Sequence, residues 1–198
     1  MRRRSLVLAG LGGLVPVRVG QAEEELWQRL AAGGLVLVLR HERTEPGIGD
    51  PPGFDLAVCA TQRNLSQAGR ASARATGEGL RARGLLRADV RSSAWCRCRE
   101  TAELLRLGPV RHEPALDSFF ADRSEAEART AALRALVAGW RGPGALVLVT
   151  HQVNVTAAFG HTVAMGEGLV IEPAAPTPFV RARLVPTGDA SGPRLARV

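Results

Sequence analysis

The stretch "GGLVLVLRHERT", residues 33–44, decides the fold. Leu35 to Leu39 is an unbroken apolar run, preceded by two glycines and followed by Arg40 and His41. A strand wetted on one face alternates apolar with polar residues. An unbroken run marks a strand covered on both faces, the pattern of a parallel sheet between helices. A second run, "GALVLVTH" at residues 144–151, has the same character and ends on His151. Arginine and histidine are costly at the edge of a core, so their place at strand ends calls for a reason. In open α/β sheets the ligand crevice lies at the carboxyl ends of the strands. These two runs therefore deliver Arg40, His41 and His151 to one crevice.

The rest of the chain agrees with that reading. "EEELWQRLAAGG" (23–34) predicts a helix, with acids in its first turn and glycine at its end. Residues 44–65 are rich in Pro, Gly and Asp and predict a long loop, in which "EPGIGDPPGF" reads as a lid. Ser66 caps a helix that stops at Gly84. "ADVRSSA" (88–94) is a strand and "CRETAELLRL" (98–107) a helix. "SEAEARTAALRALVAGW" (124–140) is a further helix, Ser-capped with Glu close behind. A short helix, "QVNVTAAFG" (152–160), follows His151, and "GLVIEP" and "PFVRARLVP" form a terminal pair of strands. Strands alternating with helices predict an α/β fold: a three-layer sandwich with a mostly parallel central sheet flanked by helices.

Composition narrows the function. The 198 residues, 45% apolar, fit one globular domain. All 26 basic residues are arginine, and aromatics make up only 4%. The net charge of +7 is thus poor evidence for nucleic acid, since stacking surface is scarce, and no nucleic-acid partner is expected. "MRRRSLVLAGLGGLVPVRVGQA" reads as an export signal over residues 1–22, with a cationic start, an apolar middle and a small-residue end at Ala22. The apolar part is too short to span a bilayer, so no stable membrane insertion is expected. The expectation is a domain at 23–198 in the periplasm or secreted, or in the cytoplasm if the leader is not functional. One disulfide from Cys59 to either Cys96 or Cys98 leaves a free thiol. The C-x-C spacing, without further Cys/His pairs, is a poor zinc signature, and no metal or cofactor is expected.

"VRSSAWCR" carries Arg97 just past its strand, so two guanidinium and two imidazole groups converge from three strand ends. Guanidinium forks match phosphate oxygens two at a time. A neutral imidazole attacks phosphorus when one ring nitrogen is unprotonated and the other is held by a carbonyl. The surrounding cations then stabilise charge on the equatorial oxygens.

At this point the motifs "LRHERT", "LSQAGRASA" (65–73), "SSAWCRCRETA" (92–102) and "VLVTHQVN" (147–154) are all in view, in that order. Together they resemble those of the histidine phosphatase superfamily, the phosphoglycerate-mutase-like proteins. The resemblance implies a metal-independent phosphatase acting on a small phosphorylated substrate through a phosphohistidine on His41. Arg40, Arg97 and His151 would line the phosphate pocket, with Arg63, Asn64, Glu42 and Gln152 near the substrate. Glu42 stands where the family has glycine, and "HQVN" replaces its "HGG". The family's general acid after the third strand is matched best by Asp117, with Asp122 behind it and Glu42 a geometric outsider. His112 and His161 match no motif. The alternatives are a catalytically idle relative that binds a phosphorylated ligand, or a phosphoglycerate-mutase-type phosphotransferase.

Overall fold

The computed structural model describes residues 19–174, 177–187 and 192–198. Most of the expected leader, residues 1–18, lies outside the described residues. Five α-helices and seven strands are formed among those described: α1 Val19–Ala32, β1 Val36–Arg40, α2 Gln67–Ala82, β2 Ala88–Ser92, α3 Cys96–Leu105, β3 Val110–His112, α4 Ala126–Ala138, β4 Ala145–Thr150, α5 Gln152–Phe159, β5 Gly168–Glu172, β6 Phe179–Val185 and β7 Arg194–Ala196.

The strands make one sheet in the order β3-β2-β4-β1-β5-β6-β7. Its first half, β3-β2-β4-β1, is parallel, and β5, β6 and β7 are added antiparallel. The mostly parallel sheet expected from the sequence is therefore parallel only in the half built from strand–helix alternation. No helix separates β5 from β6, so these two strands pair as an antiparallel neighbour set.

The period of two along β1 and β4 explains the unbroken apolar runs. Leu35, Leu37 and Leu39 pack with Trp27 and Leu30 of α1, Leu80 of α2 and Leu105 of α3. Val36 and Val38, pointing the other way, pack with Leu133 and Val137 of α4 and Val155 of α5. Each fully buried leucine contributes roughly 1.5–3 kcal/mol. The two apolar layers thus fix the strands whose tips carry charge. Register places Arg40 opposite Thr150, and the His41 and Ser93 N–H groups donate to the carbonyls of Thr150 and Val149 at 2.9 and 3.1 Å. Three chain segments leave the sheet side by side at its carboxyl edge.

Several boundaries differ from expectation for local reasons. α1 begins at Val19 rather than Glu23, so Ala22 lies inside this helix. α3 starts at Cys96, which places Arg97 in the helix's first turn. Ser66 caps α2, accepting from the Gly69 N–H, but α4 is preceded by Glu125 rather than capped by Ser124. The strands β3 and β7, three residues each, are too short to show a period.

Candidate active site

His41 sits immediately past β1 and is buried. Its Nδ1 lies 2.8 Å from the Glu42 carbonyl oxygen. A carbonyl only accepts, so Nδ1 carries the proton and Nε2 keeps its lone pair. Burial first, and then Arg97, Arg40 and Arg63, push this imidazole down to about 3, against the opposing pull of the Glu42 carbonyl. His41 is therefore neutral in the unliganded protein.

His151 precedes α5 and meets His41 edge to face, with ring centroids 5.5 Å apart. Its Nε2 is 2.8 Å from the Ser93 hydroxyl, and Trp95 packs against the ring at 5.2 Å. Burial, followed by the neighbouring His41 and the arginines, holds it well below the ordinary imidazole value. The buried Cys98 thiol lies 3.4 Å from the same Nε2, and burial pushes it up to about 12, which leaves it protonated.

Three guanidinium groups face this imidazole pair, and each is anchored in the same way. Arg40 donates from Nη1 to the Val163 carbonyl at 2.9 Å and the Gln152 side chain at 3.4 Å. Arg63 donates from Nη1 to the Thr44 hydroxyl at 2.6 Å and the Gly47 carbonyl at 2.9 Å. Arg97 donates from Nη1 to the Asp50 carboxylate at 2.7 Å. In all three the Nε–H is buried and without a protein partner. Buried donors are almost always satisfied; the Arg129 Nε beside Asp117 is a fourth such orphan, and the three grouped around this imidazole pair leave donors that an anion can accept. The arginines also oppose one another's charge: burial and its two neighbours lower Arg40, and burial and Arg97 lower Arg63.

The remaining expected residues are placed less uniformly. Gln152 accepts from Arg40 and from the Val163 N–H, so it orients an arginine. Asn64 spends its amide on the Cys59 and Gln62 carbonyls and braces the loop. Glu42 is buried against Ser72 of α2 and the Arg43 N–H, and a methyl at Gly166 would lie 2.6 Å from its carboxylate. Burial raises this carboxyl against those two bonds. Asp117 accepts from the Ala94 N–H at 2.8 Å and from His112 at 3.1 Å, and its Oδ2 pairs with the Arg129 guanidinium at 3.4 Å, so both of its oxygens are engaged. Asp122 is exposed and bonds the Ser124 N–H. His112, left unassigned by motif, is the partner of Asp117.

Asp50, Ser93 and Trp95 are site residues that sequence reasoning passed over. Asp50 is a lone carboxylate within "GIGDPPGF", where nothing in the spacing reports its partner. The loop that carries it is held firmly. Gln62 bonds the Asp55 and Leu56 carbonyls and accepts from the Cys96 N–H, and a disulfide joins Cys59 to Cys96. Cys98 is the free thiol.

No protein-family model matches the sequence, and no curated protein matches it at a significant level. Solved structures do resemble it in fold. The protein histidine phosphatase SixA, solved with tungstate, superposes with a TM-score of 0.56 at 16% identity, covering 75% of this chain and 95% of that one. A SixA protein from Agrobacterium tumefaciens gives 0.51 at 22% identity, over 77% and 98% of the two chains. A mycobacterial glucosyl-3-phosphoglycerate phosphatase gives 0.51 at 19% identity, over 82% and 97%. The α/β sandwich of this chain is thus the fold shared by these solved phosphatases.

Proposed function

We propose that this protein is a phosphatase that hydrolyses a phosphomonoester or similar phosphoryl donor through a phosphohistidine on His41. The observation that carries the proposal is the neutral His41 imidazole, its Nδ1–H committed to a carbonyl, facing three guanidinium groups with unpartnered Nε donors. The Nε2 lone pair attacks phosphorus, the P–O bond to the leaving group breaks, and that oxygen departs with the bonding pair. Arg40, Arg63 and Arg97 neutralise charge on the equatorial oxygens. Water then attacks the phosphohistidine, the N–P bond breaks, and phosphate and free imidazole are restored. His151 stands beside the reacting group and supplies a hydrogen bond to it.

Both oxygens of Asp117 are engaged and Glu42 is turned toward α2. Neither carboxylate is free to protonate the leaving oxygen in this arrangement. The site then favours substrates whose leaving group departs with little help, such as phosphohistidine or a phosphoanhydride. Activity is tested with p-nitrophenyl phosphate, whose phenolate leaves readily. Wild type turns it over, His41→Ala loses the activity by several orders of magnitude, and inorganic phosphate competes. Anion binding without turnover would instead identify a catalytically idle binder. The reading of residues 1–22 as an export leader belongs to this proposal. It gains support from the Cys59–Cys96 disulfide, since such bonds persist in oxidising compartments. Fractionation of cells making the full chain tests it, with a trimmed periplasmic or secreted product expected and an intact cytoplasmic one contradicting it. No helix among the described residues is long and apolar enough to cross a membrane.

A further inference from the structure

Asp50 is the residue of this site that neither motif nor spacing announces, and its surroundings are unusual for a loop carboxylate. Its Oδ1 accepts from Arg97 Nη1 at 2.7 Å and from the Arg63 backbone N–H at 3.0 Å. Its Oδ2 accepts from the Trp95 indole at 3.0 Å. The side chains of Arg97 and Asp50 are 5% and 7% exposed. Removing two charges from water costs several kcal/mol per ion, and their attraction often does no more than offset it. Stability alone is therefore a weak reason for this pair.

The geometry of the guanidinium supplies a better reason. Nε and Nη2 share one edge of the planar group, and that edge matches two oxygens of a phosphoryl group. Asp50 takes Nη1 and leaves Arg97 Nε buried without a partner. Arg40 and Arg63 are anchored through Nη1 in the same manner, but to carbonyl, amide and hydroxyl oxygens. Arg97 alone of the three has a charged anchor. The loop carrying Asp50 is tied to the start of α3 by the Cys59–Cys96 disulfide and the Gln62–Cys96 bond. Anchor and guanidinium therefore belong to one rigid unit.

We propose that Asp50 is a positioning residue: it fixes Arg97 with the Nε–Nη2 edge toward the phosphoryl group and serves as a built-in counter-charge to the three arginines. This inference rests on the phosphatase reading. Its consequences divide between turnover and binding. Loss of the anchor lets Arg97 leave the geometry the transition state needs, which lowers kcat. Loss of the negative charge leaves three uncompensated cations, which hold the product anion more tightly.

The test compares wild type, Asp50→Asn and Asp50→Glu, using p-nitrophenyl phosphate turnover, calorimetric binding of inorganic phosphate, and melting temperature. Asp50→Asn keeps the shape but removes the charge and leaves one of the three donors without an acceptor. The result expected is a kcat lower by roughly tenfold to a hundredfold, the size of a small misplacement in a positioned site. Phosphate is expected to bind about fivefold more tightly through the added net positive charge, and Asp50→Glu is expected to return phosphate affinity to the wild-type level while recovering kcat only in part. Wild-type kcat in Asp50→Asn would overturn the proposal. So would a joint fall of melting temperature and phosphate affinity, which marks the loop as merely structural. If Asp50→Asn does not fold, Asp50→Glu decides alone: reduced kcat with unchanged phosphate affinity supports the proposal, and unchanged kcat overturns it. An inert wild type would refute the phosphatase reading instead. Phosphate calorimetry would then still judge Asp50, tighter binding in Asp50→Asn supporting it and equal or weaker binding overturning it.

Discussion

His41 and His151 are imidazoles kept neutral by their surroundings, and that has a cost that pH exposes. Burial and the adjacent arginines hold His41 at about 3 and His151 well below 6.5 in the folded chain. An unfolded histidine takes up a proton near 6.5. Between about pH 6.5 and 3 the unfolded state thus binds more protons, and stability falls as pH falls through this window. Above 6.5 the contribution is constant. We expect the melting temperature to decline on acidification below 6.5, and to decline less steeply in a His41→Asn variant with no imidazole to protonate. Equal slopes for the two proteins would contradict the assignment. The residues bearing these effects were legible in the sequence because Arg40, His41 and His151 end apolar runs. Asn64 and Glu42 were singled out by neighbourhood in sequence and Asp117 by the resemblance, but the first two bond to loop carbonyls and to α2 and the third is already engaged by other donors. Side-chain direction is a property of the folded loop, which residue spacing does not carry.

The helix α2 shows what the motif "LSQAGRASA" does physically. Ser66 caps the helix, and a methyl at Gly69 would overlap the Arg43 carbonyl oxygen. The helix start is thereby pressed against the turn that follows His41, and the Ser66 N–H bonds that same carbonyl at 3.0 Å. Gly69→Ala should force the two apart, lowering stability by about 1–3 kcal/mol, as overpacking does. Activity should fall more than unfolding explains, because the Arg43 turn also sets the Glu42 carbonyl that holds His41. Denaturant titration beside p-nitrophenyl phosphate kinetics measures both, and a variant with wild-type values would refute this contact. The start of α2 was readable from its Ser66 cap and the strands β1 and β4 from their unbroken apolar runs. The start of α3 was placed two residues late, because the Gln62 side chain that accepts from the Cys96 N–H and the disulfide at Cys96 come from the distant loop. The same crosslink decided between the two pairings the cysteine spacing had left open.

Taken as one object, the chain is a sheet whose parallel half gathers the chemistry and whose antiparallel half completes the core. β1, β4 and the turn after β2 end side by side, so Arg40, His41, Ser93 and His151 emerge together, and α3 adds Arg97 from above. This convergence could be inferred from order and hydrophobic pattern because strand topology follows from strand–helix alternation. The terminal β5–β6 pair was also legible, but the antiparallel seat of β5 against β1, the added strand β7 and the role of Asp50 were not, since these depend on contacts that residue order does not carry. The proposed chemistry requires His41 itself to accept the phosphoryl group. Quenching the p-nitrophenyl phosphate reaction during turnover and mapping phosphorylated peptides by mass spectrometry tests it directly. An acid-labile, base-stable phosphoryl group is expected on the peptide containing His41, and none in His41→Ala. Turnover with no phosphoryl group on that residue, or with the group on another side chain, would contradict it.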